Sequence, residues 1–388
     1  MNLTDSLFSQ LEIPGMPGAA REPLRRGVFA SQQIWELIRS GRIPASAPIA
    51  EEQVQPASMD LRLGPVAYRV RASFLPGKLA TVDEKIRELG MTEIDLRSGT
   101  VFEKRCVYVV PLMEELWLPD DVSGKANPKS TTGRLDIFTR LITDYGTEFE
   151  RAPEGYKGKL YAEIVPRTFT VAVREGMRLN QLRFIRGRPP ALRESATLGR
   201  QFHKEDPLAY APDDTPAADP VHISIDLAGT TGSPVVGYKA KSHAPLIDLA
   251  RVNHYDPEEF WEPIPPSKRI ILNPDDFYIL VSKEKVSVPP HLAAEMVAYD
   301  PAVGEFRIHY AGFFDPGFGY GLEASKGTHA VLEVRSHEVP FVIEDGQVVG
   351  RLVYERLMET PDKIYGTTIG SSYQCQGLSL SKQFRRLP

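Results

Sequence analysis

Segments of this 388-residue chain recur 170 residues further on, and this repetition constrains the fold more than any other feature of the sequence. The pairs at that offset are LWLPDDVSGKA (116–126) with VSVPPHLAAEM (286–296), YAEI (161–164) with VLEV (331–334), and REGMRLNQLRF (174–184) with EDGQVVGRLVY (344–354). In addition, SMDL at 58–61 recurs as SIDL at 224–227. A shared offset is hard to obtain by chance, so the sequence predicts two copies of one structural unit.

A segment of different composition separates the two copies. Residues 188–220 are rich in Pro, Asp and Ala, and they lack the alternation of apolar and polar residues that indicates strands. We interpret this segment as a linker or an extended excursion. We place the boundary near residue 200, which gives units of 1–200 and 201–388, each large enough to bury its own core.

Strand patterns dominate both units. Alternation is clear in KLYAEIV (159–165) and TFTVAV (168–173). The 33 prolines favour turns and strand ends over long helices. One short helix is predicted over 31–41, with Ser31 as its N-cap and Gly41 as its end. The expected class is all-β with a few short helices.

Charge and cysteine content exclude several kinds of protein. A net charge of −5 argues against a chain that coats nucleic acid through a general basic field. The two cysteines, Cys106 and Cys375, cannot build a disulfide framework or a cysteine-based zinc site. The N-terminal residues resemble no export signal, and no apolar run is long enough to cross a membrane. We expect a cytoplasmic protein without nucleic-acid or membrane partners.

The stretch NPKSTTGR (127–134) concentrates groups that could hold phosphate. It is not a nucleotide-binding P-loop, because Pro128 stands where that motif needs a glycine before its lysine. Lys129, Ser130 and Arg134 nevertheless combine a point charge, a hydroxyl and a planar guanidinium, a mixture that suits a phosphate chain. On these residues alone, a capped surface turn is an equally good interpretation.

Glu163 is the acidic residue of a predicted strand. In GKLYAEIVP, alternation places Leu160, Ala162 and Ile164 on one face, and Tyr161 and Glu163 on the other. A single glutamate on such a strand is more often a solvated surface residue than a catalytic one. Its position shortly after the loop at 127–134 favours the interpretation of Glu163 as a catalytic residue.

Taken together, these motifs resemble those of the deoxycytidine triphosphate deaminases, relatives of the trimeric dUTPases, in their two-domain bacterial form. The matching segments are KSTTGR (129–134), the aromatic turn GYKG (155–158), YAE (161–163) and the tail YQCQGLSLSK (373–382). The resemblance covers nearly the whole chain. It implies two tandem dUTPase-like (β-clip) distorted barrels.

The activity implied by the resemblance is hydrolytic deamination of dCTP to dUTP and ammonia. The zinc deaminases pair a His-x-Glu element with a Pro-Cys-x-x-Cys element, and the sequence contains no Pro-Cys-x-x-Cys, so a route without zinc is expected. Glu163 would shuttle the proton, Ser130 would hold the water or the amine, and Arg134 would orient the site and stabilise charge. Mg²⁺ would arrive with the triphosphate.

The remaining substrate contacts follow from the same motifs. The expected substrate-binding residues are Lys129, Thr131, Thr132, Gly133, Tyr156, Tyr161, Ala162, Tyr365, Tyr373, Gln376 and Lys382, the last four forming a C-terminal lid. Because dUTPase-like relatives are trimers with sites at subunit boundaries, we expect a homotrimer in which a neighbour completes each site.

The two copies depart from the family pattern in different ways. The first half has Pro153 where relatives carry an aspartate, whereas the second half retains Asp315 and Glu333. The second half's counterpart of the phosphate loop, AYDPAVG (298–304), lacks Lys, Ser and Arg. We interpret the second half as a degenerate copy with a structural role, and we leave open whether Glu333 retains a site.

Two other functions remain open at this point. The same scaffold supports hydrolysis of dUTP to dUMP, alone or together with deamination, although Pro153 weakens that case. A nucleotide-sensing module whose catalysis has lapsed is the second alternative. The nucleotide products formed from dCTP distinguish all three.

Overall fold

The computed structural model describes residues 26–187, 192–230, 232–298, 306–308, 312–322, 326–336, 338–366 and 377–386. Most of its regular structure is β-strand, and the helices are short. The predicted all-β class is confirmed.

The first half contains twelve strands among its described residues, with three α-helices and one 3₁₀ turn over Glu51–Gln53. The strands are β1 (Gly27–Val28), β2 (Met59–Arg62), β3 (Val66–Val70), β4 (Gly90–Asp95), β5 (Thr100–Phe102), β6 (Val107–Trp117), β7 (Val122–Pro128), β8 (Ile137–Thr143), β9 (Arg151–Ala152), β10 (Lys157–Pro166), β11 (Val171–Val173) and β12 (Arg178–Arg186). The helices are α1 (Ser31–Arg39), α2 (Val82–Leu89) and α3 (Ser130–Gly133).

The second half repeats this arrangement. Its helices are α4 (Leu192–Glu205) and α5 (Pro257–Phe260). Its strands are β13 (Ala209–Tyr210), β14 (His222–Ser224), β15 (Gly237–Ala240), β16 (Ile247–Asp248), β17 (Trp261–Ile264), β18 (Arg269–Leu272), β19 (Tyr278–Val286), β20 (Leu292–Ala298), β21 (Phe306–Ile308), β22 (Phe313–Phe314), β23 (Thr328–Ser336), β24 (Phe341–Glu344) and β25 (Val348–Arg356).

The sheet order confirms the duplication predicted from the sequence. In the first half, one sheet runs β4-β3-β6-β10-β8 and a second runs β1-β12-β7-β9, with β2 also on β12. In the second half, β17-β15-β19-β23-β21 matches the first of these sheets, and β14-β25-β20-β22 matches the second. Glu163 lies opposite Val109 and Glu333 lies opposite Ile279, so the two glutamates hold equivalent positions in their copies.

Alternation along the strands generates the buried cores. Leu160, Ala162 and Ile164 of β10 belong to the first core, as the sequence predicts. The opposite face of β10 is covered as well, because Tyr161 packs with α2 residues Val82 and Ile86 in a smaller cluster. Both faces of this strand are therefore shielded from water.

Three local predictions need correction. Helix α1 has Ala30 at its N-cap, whose amide donates to Gln33 Oε1 at 3.0 Å, so Ser31 is already helical. Only the end of the segment 168–173 forms a strand, β11. The segment 188–220 is not a structureless linker, because it contains α4, which packs on β25 through Phe202 beneath the Arg356 guanidinium.

Contacts between the halves tie them into one body. Strand β16 of the second half pairs in parallel with β11 of the first, so that the third sheet runs β16-β11-β5. The guanidinium of Arg335 donates two hydrogen bonds to Asp136 Oδ2, at 2.7 and 3.1 Å, and the Arg335 and Asp136 side chains are 3% and 0% exposed. A buried pair of this kind is costly to break from one side, because the remaining charge loses its buried partner.

None of the helices in the described part of the chain combines the length and the apolar character that a bilayer crossing requires.

We predict that Asp136→Asn lowers the free energy of unfolding by about 3 kcal/mol, because the buried Arg335 guanidinium keeps only the exposed Asp275 carboxylate, at 3.7 Å, as an acidic partner. Chemical denaturation measures this loss. Asp95→Asn, which breaks the exposed Arg97–Asp95 pair at 3.1 Å, is the control and should cost less than about 1 kcal/mol. Equal losses in the two variants would contradict a special role for the buried pair.

Candidate active site

A cavity of about 760 Å³ lies where the two halves meet. The first half contributes the loop that follows β7, together with residues near the start of β12. The second half contributes β22, part of β23 and the segment after β22. The size falls within the range typical of small-molecule sites.

The loop at 129–134 is held by backbone and side-chain bonds to β12. The Lys129 amide donates to the Leu179 carbonyl at 2.9 Å, and Thr132 Oγ1 donates to the same oxygen at 2.8 Å. The short helix α3 then turns the chain back towards β8. Of the predicted loop residues, the ones that line the cavity are Lys129, Ser130, Thr131, Thr132 and Arg134. Gly133 is buried and does not line it.

The carboxylate that faces this loop belongs to Glu333 of β23. Its side chain is 7% exposed, and its Oε1 lies 3.9 Å from Nε of Arg134. Burial raises the pKa of Glu333 to about 8, and the nearby Arg134 charge only partly opposes that rise. The site therefore holds a carboxylic acid that keeps its proton near neutral pH.

A second acidic residue, Asp315, lies beside an aromatic wall. Phe313, Phe314 and Phe318 line the same part of the cavity. Burial raises the pKa of Asp315 to about 6, against the positive charges of Arg183 and Lys129. Its Oδ1 is buried and has no hydrogen-bond partner among the described residues. A buried acceptor of this kind suits a ligand hydroxyl.

Positive charges collect at another part of the cavity. The Lys129 ammonium is bonded to Asp60, and Arg178 lies 3.8 Å from the same carboxylate and 3.6 Å from Glu52. The pKa of Lys382 is lowered because part of its side chain is shielded from water and because Lys129 and Arg178 add positive charge. Cations that crowd in this way favour an anionic ligand with several charges.

Part of the C-terminal segment, which we predicted to form a lid, packs against the loop. Ser381 Oγ donates to the Thr131 carbonyl at 2.9 Å, and Arg134 Nη1 donates to the Ser379 carbonyl at 3.1 Å. Tyr365 and Lys382 both line the cavity. The other two predicted lid residues, Tyr373 and Gln376, lie outside the described residues.

The structure does not bring Glu163 to this cavity. The Glu163 side chain is fully buried within the first half, where Arg140 Nε donates to its Oε1 at 3.1 Å. Arg134, which was expected near Glu163 or the phosphates, lies 3.9 Å from Glu333 of the other half. Glu333 holds the position on β23 that Glu163 holds on β10.

The predicted residues of the aromatic turn and of β10 also lie away from the cavity. Tyr156 is buried with its hydroxyl donating to the Lys159 carbonyl at 2.6 Å, and neither Tyr161 nor Ala162 lines the cavity. Val331, which lies 170 residues after Tyr161, does line it. The second half, which we interpreted as structural, also lines the cavity, since it supplies Glu333, Asp315 and the aromatic wall.

A signal for this arrangement was present in the sequence. The first half lacks the aspartate at Pro153 but keeps Lys129 and Arg134, whereas the second half keeps Asp315 and lacks the cationic loop. The first copy lacks the aspartate that the second retains, and the second copy lacks the cationic loop residues that the first retains. Complementary losses of this kind indicate one composite site that draws on both halves.

The cavity thus combines a cationic region, a buried acid held near neutral pKa and an aromatic wall with an unsatisfied acceptor. This combination on a duplicated all-β scaffold is typical of an enzyme that acts on a small anionic substrate such as a nucleotide.

Comparisons with known proteins agree with this class. Residues 25–188 match the family model for the 2'-deoxycytidine 5'-triphosphate deaminase (DCD) N-terminal domain, and residues 195–384 match that for the C-terminal domain. A crystal structure of 2'-deoxycytidine 5'-triphosphate deaminase from Agrobacterium tumefaciens is 49% identical, with a TM-score of 0.81, and the match covers 86% of this chain and 99% of that one.

Shorter curated relatives match part of the chain. A "dCTP deaminase, dUMP-forming" of Beutenbergia cavernae is 29% identical over 170 residues, which are 43% of this chain and 83% of the relative. A protein of the same description from Halobacterium salinarum is 28% identical over 140 residues, or 35% of this chain and 67% of the relative. The chain belongs to the 2'-deoxycytidine 5'-triphosphate deaminase family.

We predict that Glu333→Gln stabilises the protein relative to the wild type as the pH rises from 5 to 8. In that window the unfolded chain has released the Glu333 proton while the folded chain still binds it, so wild-type stability falls with rising pH. The variant has no ionisable carboxyl group at position 333, so its stability does not fall with rising pH for this reason. Its melting temperature should gain about 3 °C on the wild type between pH 5 and pH 8. A constant difference across that range would contradict the raised pKa.

Proposed function

We infer that this composite cavity is where the chain deaminates dCTP, with Glu333 as the group that moves protons. The observation that carries the inference is the position of Glu333, which is buried beside Arg134 and faces the phosphate-binding loop of the other half. The product of this step is dUTP, with ammonia released from C4 of the base.

The cavity orients the substrate by charge and polarity. The triphosphate binds the cations of Lys129, Arg178 and Lys382, which already lie close together. The deoxyribose lies near Asp315, whose buried Oδ1 accepts a hydrogen bond from a sugar hydroxyl. This arrangement leaves the base between the aromatic wall and Glu333. A base that offers the wrong hydrogen-bonding edge is rejected because it would strand a buried polar group.

The raised pKa of Glu333 defines the order of the proton transfers. The neutral acid first donates its proton to N3 of cytosine, which makes C4 more electrophilic. The resulting carboxylate accepts a proton from water as the oxygen adds to C4. Glu333 then gives that proton to the amino group, ammonia leaves, and the new hydroxyl returns its proton to Glu333 as the C4 carbonyl forms. The carboxyl group ends in its starting state.

Arg134 and Ser130 assist this sequence. The Arg134 guanidinium lies 3.9 Å from Glu333 and stabilises the carboxylate that forms after the first proton transfer. Its bond to the Ser379 carbonyl fixes its orientation. Ser130 lines the cavity, and its hydroxyl holds the attacking water or the departing amine.

The expected metal is Mg²⁺ bound to the substrate. No three His, Cys, Asp or Glu side chains gather into a metal-binding group in the described ranges. The triphosphate supplies most of the oxygen ligands that Mg²⁺ prefers, and Asp60 and Glu52 are the carboxylates nearest the cationic region. When bound, the ion neutralises phosphate charge, and the proton transfers above do not involve it.

Assembly and location are part of the same proposal. We expect a homotrimer in the cytoplasm, as the dUTPase-like relatives suggest. The loop and Glu333 come from one chain, so the neighbour is not needed to bring these two groups together. Mass measurement in solution tests the trimer.

A bifunctional reaction is the second candidate, because two of the relatives are described as dUMP-forming. That activity would also cleave the triphosphate and release pyrophosphate. The nucleotide product therefore decides between dUTP and dUMP.

We predict that incubation of the purified protein with dCTP yields dUTP and ammonia, and that Glu333→Gln lowers kcat by at least about 10²-fold, the usual contribution of a proton-transferring side chain. Chromatography of the nucleotides and an ammonia assay measure both. Nucleotide binding should persist in the variant, since the cationic region is intact.

Glu163→Gln is the matched control for this experiment. It changes the equivalent carboxylate of the other copy, which does not line the cavity, so kcat should stay within about threefold of the wild type once folding is verified. Loss of turnover in Glu163→Gln with full activity in Glu333→Gln would reverse the assignment. Formation of dUMP and pyrophosphate would establish the bifunctional alternative.

The pH dependence of kcat/KM is a further prediction. Because the first step needs the neutral acid, kcat/KM should be level up to about pH 8 and then fall towards tenfold per pH unit as Glu333 loses its proton. Steady-state rates at low dCTP between pH 6 and 10 measure this. A profile that rises through pH 8 would contradict the order of proton transfers.

A further inference from the structure

The first half keeps a complete counterpart of the strand that carries Glu333. Glu163 occupies the same register position on β10 that Glu333 occupies on β23. Its side chain is fully buried, and its Oε2 has no hydrogen-bond partner in the described part of the chain. A buried carboxylate without an opening to the cavity requires compensation from inside the fold.

That compensation comes from Arg140, the residue directly opposite Glu163 on β8. Both Nε and Nη2 of Arg140 donate to Glu163 Oε1, the first at 3.1 Å. Nη2 also donates to Ser73 Oγ at 2.7 Å. The guanidinium is therefore held by two partners and presents its N–C–N edge to the carboxylate.

The guanidinium is also stacked on an aromatic ring. Its Cζ lies 3.4 Å from the centroid of Phe149 and 4.5 Å from that of Phe138. A flat group that meets a carboxylate with an N–C–N edge while its face rests on a phenyl ring matches the recognition of a pyrimidine. Cytosine offers a related edge, in which the C4 amino group donates and N3 accepts, and this edge pairs with a carboxyl group in its protonated form.

We propose that the first half contains a second base pocket and that Arg140 occupies it as an internal ligand. The pocket has the chemistry to bind a planar amidine such as cytosine, but the guanidinium fills the position that the base takes beside Glu333. This inference rests on the proposed role of Glu333. It follows that each chain binds one nucleotide, although it carries two equivalent glutamates.

The internal ligand is reachable from outside. The Arg140 side chain is 22% exposed, whereas Glu163 beneath it is fully buried. Shortening Arg140 would therefore open a passage from solvent to the carboxylate, with Phe149 as one wall. A small flat molecule that restores the lost contacts should bind there.

Chemical rescue of Arg140→Ala tests this proposal. The variant should melt roughly 5 °C below the wild type, because Glu163 loses its partner. Cytosine at about ten times its dissociation constant should raise the melting temperature of the variant by about 2 °C more than that of the wild type. Low millimolar guanidinium should also raise it. In the double variant with Glu163→Gln, the cytosine effect should disappear.

Arg62→Ala is the matched control. Arg62 pairs with the buried Glu114 at 2.7 Å in the same half, and no equivalence to the cavity links that pair to a base. Guanidinium should rescue Arg62→Ala and cytosine should not. If cytosine fails to stabilise Arg140→Ala while guanidinium succeeds, the vacated space accepts only an arginine-like group and the proposal is overturned.

A further test does not depend on folding of the Arg140→Ala variant. Titration with dCTP in the Glu333→Gln background, where turnover is blocked, should give one nucleotide per chain, and two would overturn the proposal. These readouts are stability and stoichiometry rather than turnover. Full activity of Glu333→Gln would instead refute the proposed function, which keeps the two failures distinguishable.

Discussion

The proximity of Arg134 to Glu333 is the contact on which the rest of this site depends. One residue belongs to the first copy of the repeat and the other to the second, and both side chains are almost completely buried. The guanidinium limits the cost of burying the acid, while burial keeps the acid protonated near neutral pH. Neither copy could create this environment alone, so it depends on how the two halves are joined.

The contacts that join the two halves also hold Arg134 and Glu333 in place. The buried pair between Arg335 and Asp136 lies two residues beyond each partner of the site, on β23 and just after Arg134. The parallel pairing of β16 with β11 adds a second connection. Because the Arg335–Asp136 pair is close in sequence to Arg134 and Glu333, the geometry of the cavity and the stability of the interface depend on the same elements. A change that loosens the interface therefore also displaces Glu333 from the loop.

Sequence reasoning predicted the duplicated all-β fold and the phosphate-binding loop, because both depend on local patterns. Lys129, Ser130 and Arg134 lie in one short stretch, and the strands follow from alternation. Local patterns could not predict which glutamate lines the cavity. Glu163 and Glu333 have the same spacing and neighbours, and only tertiary structure decides which strand faces the loop. Helix α4 was missed since the proline-rich residues around it obscured its periodicity.

The contact between segment 377–386 and the loop at 129–134 affects the order in which the cavity can assemble. Ser379 and Ser381 contact Arg134 and Thr131, residues that are synthesised nearly 250 positions earlier. Both β-units can begin to form before Ser379 and Ser381 have been synthesised. The Arg134 guanidinium gains its carbonyl partner only afterwards, so the covering of the loop is a late step in folding.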